Sequence, residues 1–506
     1  MATRSQALPL SSAQVAAIAA GTAPSNHAYS VVLAGDSITS QCFATITPTS
    51  ITSSGTTATV TYAGHSLAVG QQCTIQGCTE TGYNGCWRVA SATATTFTVT
   101  TTATPSASPA TGSPQICLGN AYQNNGYFSY LTGANLSLLN NAGLGGDTTA
   151  GLYSRLQTDV HTYAADCVIV NIGINNLRTG GATAAATWTG AAGSEGIKEV
   201  VDAILATGRR VILCTIIPLD VGDSFFSTAV GGITCPKRIL AVNRSIRAYC
   251  NTTPNLYLAD VAAPLASTNA DGRALAANIG SAPHPSPAGA QLMAIPIMDA
   301  LELCGARPIS LVSSELDTVN SDAGSKNVTY NPFFTGTGGS KDTGVTGTMA
   351  DSWRTERLNG SPTVVCTTEA RTIAADGDAL GNNQVLTISS TAASDQIQFR
   401  SFITYGTQFT NADIINLLSH VQISSAVNLQ YFYGFVEVVV DAVNYFAYWD
   451  YNGTGTAIPS LNQVIQTRPL TVPAGTISNY YIGFVAQFSG AGGAVVKFGR
   501  TESRKV

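Results

Sequence analysis

Between residues 118 and 305 the sequence alternates apolar strands with amphipathic helices, and this alternation limits the fold more than any other feature. The run DCVIVNIG (166–173) is almost wholly apolar, as a central strand of a parallel sheet should be. The segment SEGIKEVVDAILATG (194–208) has helical spacing and ends on a glycine. Together with a first strand in residues 29–41, this pattern predicts a parallel sheet with helices on both faces.

Two further regions are rich in β-branched residues and poor in helical patterns. Residues 43–117 contain short alternating segments and interrupt the α/β pattern, which predicts a small inserted all-β module. The C-terminal part contains many alternating strands, which predicts a β-sandwich, and only NADIINLLSH (411–420) has the spacing of a helix. The expected domains are an N-terminal helical segment (1–28), an α/β domain (29–42 and 118–308), the inserted module (43–117) and the β-sandwich (309–506).

Polar residues follow the predicted strands of the α/β domain at the carboxyl ends, where such sheets bind ligands. The first strand runs into Gly-Asp-Ser at Ser37, and the second into the glycine-rich NNAGLGGDTT (140–149). The third runs into GINN (173–176), and SAPHP (281–285) precedes the last helix. These segments supply a hydroxyl, backbone N–H groups, a carboxamide and an imidazole. A serine hydrolase needs this set, because it uses a nucleophile, a base and donors for an oxyanion.

In this order, the four segments resemble the motif blocks of the SGNH/GDSL hydrolases, a family of esterases and lipases on a flavodoxin-like three-layer α/β/α fold. The resemblance implies that Ser37, in G-D-S, is the nucleophile and that His284, in the block D-x-x-H-P, is the base. It implies an oxyanion hole made by the amides of Ser37 and Gly146, in N-x-G-x-x-G-x-T, and by the side chain of Asn175, in G-x-N-D. It implies no metal and no cofactor.

Two positions depart from the family pattern. Asn176 stands where the family has Asp, which should be tolerated because Asn175 is the donor. Ser281 stands where the family has the Asp that orients the histidine, and serine cannot supply that negative charge. Three interpretations stay open: a backbone carbonyl beside Ser281 accepts from the imidazole, a carboxylate such as Asp260 or Asp271 substitutes, or the site only binds.

Other side chains have two interpretations each. Trp353, Tyr448 and Trp449 suggest sugar stacking, as in carbohydrate-binding modules, but alternation along a strand turns about half of such rings into a core. Asp36 is better explained as a structural hydrogen-bond acceptor than as a catalytic acid. The eleven cysteines lack the spacing of a zinc site, so we expect buried thiols among them, while a disulfide within residues 42–117 stays open.

The composition excludes two classes of partner. Only 10% of the residues are charged and the net charge is −5 without a basic run, so the sequence has no electrostatic footprint for nucleic acid. No apolar run approaches the roughly 20 residues of a membrane helix, so we expect no membrane partner. Low charge with abundant Thr, Ser and Gly suits extracellular β-structure and neutral ligands such as sugars.

We therefore expect a serine esterase that removes O-acyl groups, above all O-acetyl, from an acylated polysaccharide of the bacterial surface or from another polysaccharide. The N-terminus is not a convincing signal peptide, and the inserted module is similar to small β-modules of bacteriophage tails, so the expected location is extracellular or virion-associated, with a homo-oligomer or a tail assembly left open. That module begins a few residues after Ser37, so it is well placed to shape the substrate cleft. The other interpretation is a neutral surface insertion. The alternatives are a glycan-binding tail or adhesion protein with little activity, and a lipase or thioesterase.

Overall fold

A computed structural model of the chain describes most of the sequence outside the first 28 residues. The described residues are 29–131, 136–269, 271–306, 327–372, 379–401, 409–450 and 460–505. The predicted N-terminal helical segment (1–28) therefore lies outside the described residues.

Within these ranges most of the regular structure is β-strand. In chain order the strands are β1 (Tyr29–Gly35), β2 (Phe43–Ile46), β3 (Ser50–Ser54), β4 (Thr57–Thr61), β5 (Gln72–Cys78), β6 (Gly85–Ala92), β7 (Thr96–Thr100), β8 (Gly112–Tyr122), β9 (Leu136–Gly143), β10 (Cys167–Asn171), β11 (Arg210–Cys214), β12 (Ala229–Val230), β13 (Ile233–Thr234), β14 (Leu256–Ala259), β15 (Gly338–Lys341), β16 (Val345–Gly347), β17 (Met349–Asn359), β18 (Thr363–Ala370), β19 (Asn382–Ser390), β20 (Gln396–Ser401), β21 (Ile414–Val440), β22 (Val443–Trp449), β23 (Leu461–Gln466), β24 (Leu470–Thr471) and β25 (Ile477–Lys505).

The described helices all lie in the N-terminal 303 residues. The α-helices are α1 (Ser37–Ser40), α2 (Thr149–Ser154), α3 (Ile174–Leu177), α4 (Ala184–Thr189), α5 (Ile197–Leu205), α6 (Cys235–Cys250), α7 (Ala262–Leu265) and α8 (Pro287–Leu303). Single turns of other helix types occur at Thr81–Tyr83, Tyr127–Tyr130, Gln157–His161 and Ala276–Asn278.

A parallel sheet of five strands, in the order β9-β1-β10-β11-β14, forms the centre of the α/β domain. Numbered along this sheet alone, the order is 2-1-3-4-5, which is that of flavodoxin-like folds. The side chains of β1 from Val31 to Ala34 are fully buried, because helices cover both faces of the sheet. The α/β fold class predicted from the sequence is thereby confirmed.

The helices cover the two faces of this sheet in the way that right-handed crossovers require. Helix α5 packs on β11, α6 packs on β14, and α4 joins these two helices. Helix α8 contacts β14 and β11 together with the turn Tyr127–Tyr130, which precedes β9. The chain moves across the sheet in one direction from β1 to β9 and in the opposite direction from β9 through β10 and β11 to β14. With right-handed crossovers, the turn Tyr127–Tyr130 and α8 therefore cover the face opposite to α4, α5 and α6.

The inserted module has a small apolar core of its own, which includes Ile51, Val60, Ile75 and Phe97. Its last strand, β8, crosses the expected boundary at residue 117 and runs on towards the α/β domain. Near its end β8 pairs in parallel with β22 of the C-terminal region, with Ala121 opposite Tyr448. The module and the C-terminal region are thus joined through one strand.

The C-terminal region is β-rich, with sandwich-like sheets, as the sequence predicts. The two long strands β21 and β25 pair antiparallel along most of their length. A stack of aromatic rings connects β17, β20 and β25. In this stack Trp353 and Phe399 are 4.8 Å apart and Phe399 and Phe498 are 4.6 Å apart, measured between ring centroids. This region holds no helix among its described residues.

One secondary-structure prediction is wrong. The segment NADIINLLSH (411–420), predicted as the one helix of the C-terminal region, runs into strand β21 (Ile414–Val440). From Ile415 to His420 every residue is buried, so buried and exposed positions do not alternate along this part of the strand. A strand segment that is buried on both faces cannot be told from a helix by its apolar spacing.

All eleven cysteines are free thiols, and all but Cys86 are buried. The disulfide left open for residues 42–117 does not form. Burial raises the pKa of the Cys42 thiol to about 12, so this group stays protonated and behaves as a small apolar side chain. In the described part of the chain, no helix combines the length and the apolar character needed to cross a membrane.

Candidate active site

The register of the parallel sheet brings three of the four sequence blocks to one edge. Gly35, at the end of β1, lies opposite Asn171 on β10 and opposite Gly143 on β9. A Cβ atom on Gly35 would stand 2.1 Å from the carbonyl oxygen of Asn171, so only glycine fits here. The residues that follow these three strands therefore share one edge of the sheet.

Ser37 is the first residue of α1, directly after β1. The turn is fixed by Asp36, whose carboxylate caps the helix by accepting the N–H of Ile38 at 3.0 Å. Asp36 is fully buried, and burial raises the pKa of its carboxyl from 3.8 to about 7. This geometry matches the structural role expected for Asp36, and it presents the Ser37 hydroxyl at the partly open edge.

The Ser37 hydroxyl and the His284 ring are in hydrogen-bond contact. His284 Nε2 lies 2.9 Å from Ser37 Oγ, although the two residues are 247 positions apart. On the other side of the ring, Nδ1 lies 3.0 Å from the carbonyl oxygen of Ser281 and 3.5 Å from its hydroxyl. A carbonyl only accepts, so Nδ1 carries the hydrogen and Nε2 is left as the acceptor of the Ser37 proton. This is the tautomer that a general base needs.

The surroundings of His284 favour its neutral form. Burial lowers the pKa of the imidazole below its ordinary value of 6.5, and the nearby positive charge of Arg178 lowers it further. The hydrogen bond to Ser281 acts in the opposite direction, and its influence on the pKa is smaller than that of burial but larger than that of Arg178. Arg178 is itself paired with Asp223 at 2.8 Å. A neutral imidazole beside a serine hydroxyl is the resting state of a Ser–His pair.

The two carboxylates proposed as substitutes for the missing Asp are engaged elsewhere. Asp260 pairs with Arg247 at 2.8 Å and accepts from Thr215 at 3.0 Å. Asp271 forms an ion pair with its near neighbour Arg273. Among the described residues, no carboxylate hydrogen-bonds to His284, so the prediction that Asp260 or Asp271 orients the ring is wrong. The neighbouring group is the Ser281 carbonyl, which also accepts the main-chain N–H of His284 at 2.7 Å.

The residues expected to form the oxyanion hole lie on the loop after β9 and on α3. Gly146 is exposed and has a φ of +79°, and within the described residues no acceptor takes its N–H. Asn175 is 5% exposed, and its Nδ2 donates to the carbonyl of Asp147 at 2.9 Å. A carboxamide has two N–H bonds, so one remains. The Ser37 amide begins a helix, where N–H groups lack acceptors within the helix.

Ion pairs and caps hold this loop in place. Arg155 pairs with Asp147 at 2.6 Å and donates to the carbonyl of Gly35 at 3.1 Å. Asn176, the departure from the family pattern, accepts the main-chain N–H of Thr149 at 3.1 Å and donates to its hydroxyl at 2.9 Å. Sequence reasoning missed Arg155, because an arginine in an amphipathic helix has the pattern of a solvated side chain.

The three aromatic residues predicted for sugar stacking are core residues. Trp353 and Trp449 are fully buried, and Tyr448 is 4% exposed. Tyr448 packs between Tyr433 and Phe446. A sugar ring needs an accessible aromatic face, so the prediction is wrong for these three side chains. Core packing, the other interpretation, is what the structure shows.

No group of three or more His, Cys, Asp or Glu side chains is placed to hold a metal ion in the described ranges. The groups assembled at the edge of the sheet are a hydroxyl, an imidazole, a carboxamide and backbone amides. These groups can carry acyl transfer through a serine nucleophile.

Comparison with known families supports this chemistry. Residues 106–292 match the model of the GDSL-like Lipase/Acylhydrolase family, a span that includes Gly146, Asn175 and His284 and leaves out Ser37. No curated protein matches the chain.

Solved structures similar to this one cover about a third of the chain. They include a GDSL-like lipase from Bacteroides thetaiotaomicron, with 19% identity, 33% of this chain and 76% of that chain covered, and a TM-score of 0.27. A lipase/acylhydrolase from Enterococcus faecalis has 20% identity, coverage of 35% and 82%, and a TM-score of 0.26. The enzymatically active domain of tailspike protein 4 of bacteriophage CBA120 has 13% identity, coverage of 31% and 20%, and a TM-score of 0.22. Likenesses of this extent carry no argument about what this chain acts on.

Proposed function

We propose that this protein is a serine esterase that removes O-acyl groups, above all O-acetyl groups, from a polysaccharide. The observation that carries the proposal is the contact of 2.9 Å between Ser37 Oγ and His284 Nε2. We assign the donors for an oxyanion to the amides of Ser37 and Gly146 and to the carboxamide of Asn175, because all three follow strands that end at this edge of the sheet. A turn residue without catalytic function would not require an imidazole and free amides at the same edge.

The reaction follows from these positions. Ser37 Oγ attacks the ester carbonyl while its proton passes to His284 Nε2, and a tetrahedral intermediate forms. The negative charge on its oxygen is stabilised by the amides of Ser37 and Gly146 and by the carboxamide of Asn175. The C–O bond to the sugar then breaks, and the sugar oxygen takes the proton from His284. In the second half, His284 accepts a proton from water while the water oxygen attacks the acyl-enzyme. The bond between the acyl carbon and Ser37 Oγ then breaks, Oγ takes the proton back from His284, and acetic acid leaves.

The Ser281 carbonyl supports an active enzyme over a domain that only binds. The family's Asp fixes the tautomer of the histidine and stabilises the imidazolium. In this chain the carbonyl does the first task, because Nδ1 donates to it at 3.0 Å. The second task is done only in part, because a carbonyl carries a partial negative charge. We therefore propose a Ser–His dyad.

The substrate class rests on general features of the chain. Low charge, with 10% charged residues, suits a neutral polymer such as an acylated polysaccharide. The β-rich C-terminal region and the inserted module suit a protein that works outside the cell or in a virion tail, with several copies assembled. A lipase or thioesterase is the alternative, and an acyl-chain series distinguishes it from an acetylesterase.

The test is a screen for acetate release from acetylated polysaccharides and from an aryl acetate. Ser37→Ala and His284→Ala should each abolish turnover, by about 10⁴-fold or more, because the two groups act as a unit. Ser478→Ala, which removes an exposed hydroxyl of β25, is the matched control and should keep full activity. Retention of activity by Ser37→Ala contradicts the assignment. A preference for long-chain esters over acetylated glycan favours the lipase instead.

A further inference from the structure

The inserted module touches the loop that carries the oxyanion donor. Gln76, on β5 of the module, accepts the main-chain N–H of Gly145 through its Oε1 at 2.8 Å. Gln76 is 5% exposed, whereas Gly145 is partly exposed, so this hydrogen bond is partly shielded from solvent. A Cβ atom on Gly145 would stand 2.9 Å from Gln76 Oε1, so the amide of Gln76 packs closely against this residue. Gly145 directly precedes Gly146.

This contact belongs to a larger interface along the free edge of β9. The Gln72 side chain donates to the carbonyl of Asn141 at 2.6 Å and accepts the main-chain N–H of Asn141 at 2.9 Å. This carboxamide thus makes the two hydrogen bonds that a neighbouring strand would make. Arg88 donates to the carbonyl of Leu139 at 3.1 Å. The module thus covers with side chains an edge of the sheet that would otherwise present unpaired backbone groups.

We propose that Gln76 is a positioning residue of the oxyanion hole, which makes the inserted module part of the catalytic apparatus. Gly145 and Gly146 are adjacent glycines, and Gly146 has a φ of +79°, so this peptide has wide rotational freedom. Anchoring the Gly145 N–H limits that freedom, and with it the orientations open to the next peptide, which carries the Gly146 N–H. The inference rests on the proposed esterase function, since it concerns the donor of that reaction.

Gln76 is itself held by the module. Its backbone pairs with Gln115 in the ladder between β5 and β8, and its Nε2 lies 3.4 Å from the side-chain oxygen of Gln115. This pairing between β5 and β8 fixes the position of Gln76 relative to the loop after β9. Positions of reacting groups and donors must hold to within a fraction of an ångström, and a displacement of about 1 Å can lower the rate by about 10²-fold.

The test compares two glutamines of the module. Gln76→Met keeps the volume of the side chain and removes the acceptor of the Gly145 N–H. Gln71→Met is the matched control, because Gln71 also accepts one main-chain N–H at 2.8 Å, but that of Ala68 within the module. We expect Gln76→Met to lower kcat for an aryl acetate by about 10- to 100-fold at nearly constant KM. Gln71→Met should leave kcat unchanged at a similar melting temperature.

Two further readouts separate positioning from a structural effect. Gln76→Asn keeps a carboxamide in the module but withdraws it from Gly145, so the same fall in kcat is expected. The acid limb of the kcat/KM profile should stay in place for both variants, because His284 is untouched. Equal kcat for Gln76→Met and Gln71→Met overturns the inference while the esterase assignment stands. A wild-type protein without any Ser37-dependent ester hydrolysis overturns both.

Discussion

The two sides of Ser37 are built differently. On the histidine side, the ring of His284 is oriented by the carbonyl of Ser281, three residues earlier in the same exposed turn. On the oxyanion side, the loop after β9 is held by Arg155 from α2's end, by Asn175 from α3 and by Gln76 from the inserted module. The support on one side is local and neutral, and on the other it is distributed over three elements.

This difference suggests where the transition state gains its stabilisation. A carboxylate beside the histidine would favour the imidazolium, and the histidine side has none among the described residues. On the oxyanion side, the proposed donors on Ser37, Gly146 and Asn175 are all present in the chain, and Gln76 of the inserted module supports the loop that carries one of them. We therefore expect activity to depend more on the oxyanion donors than on the group behind the histidine.

Among changes to the groups around the Ser37–His284 pair, the largest effect is expected from removing an oxyanion donor. Asn175→Ala should lower kcat for an aryl acetate by about 10²- to 10³-fold, because it deletes one hydrogen bond to the developing charge. Asn444→Ala is the matched control, since its carboxamide is exposed and donates to Glu437 in the C-terminal region. It should leave kcat unchanged. Equal losses of kcat in the two variants would rule out the donor assignment of Asn175.

The parts of this site that a sequence pattern reveals are side chains at strand ends. Ser37, Gly146, Asn175 and His284 lie in short segments whose order and position predict their proximity, and the structure places Ser37 and His284 in contact. The parallel sheet was predictable for the same reason, because its signal is local and periodic.

The supports of the site are less visible in the sequence. The Ser281 carbonyl is a backbone atom, so its role could be named only as one of three alternatives. Gln76 lies in a β-branched segment, where it has the pattern of a surface strand residue. Its contact with Gly145, 69 positions away, depends on how the module docks on β9. Trp353 shows the opposite error, since aromatic content alone does not tell a binding face from a core.

A smaller effect, on stability, is expected for Asp36, which directly precedes Ser37 and caps its helix. Burial raises the pKa of this carboxyl from 3.8 to about 7. The native state therefore holds the proton in a range where the unfolded chain has released it. The resulting stabilisation is complete below about pH 4 and is lost as the pH rises towards about 7. The Asp36 carboxylate should thus destabilise the fold at alkaline pH.

Asp36→Asn tests this sign. Asparagine keeps an oxygen for the N–H of Ile38 and removes the charge, so the variant should gain about 2 kcal/mol over the wild type at about pH 8 and little at about pH 4.5. Chemical denaturation at the two pH values measures the difference. If the free energies of unfolding of wild type and variant differ by the same amount at both pH values, burial does not raise the pKa of Asp36. Asn175→Ala is expected to change kcat instead. The two experiments therefore separate the contribution of Asp36 to stability from that of the oxyanion donor to the rate.

The smallest expected effect comes from restoring a carboxylate on the histidine side. In Ser281→Asp the new group would stand near Nδ1, since the serine hydroxyl lies 3.5 Å from it. A negative charge there raises the pKa of His284, which burial holds below 6.5 in the wild type. Because the base must be neutral, the acid limb of kcat/KM should move upward by about one pH unit, and kcat at about pH 8 should rise a few-fold. Ser281→Asn, of equal size and no charge, should leave the limb in place. If the Asp variant also leaves the limb unchanged, this side chain does not reach the imidazole, and the contrast between the two sides of Ser37 loses its electrostatic basis.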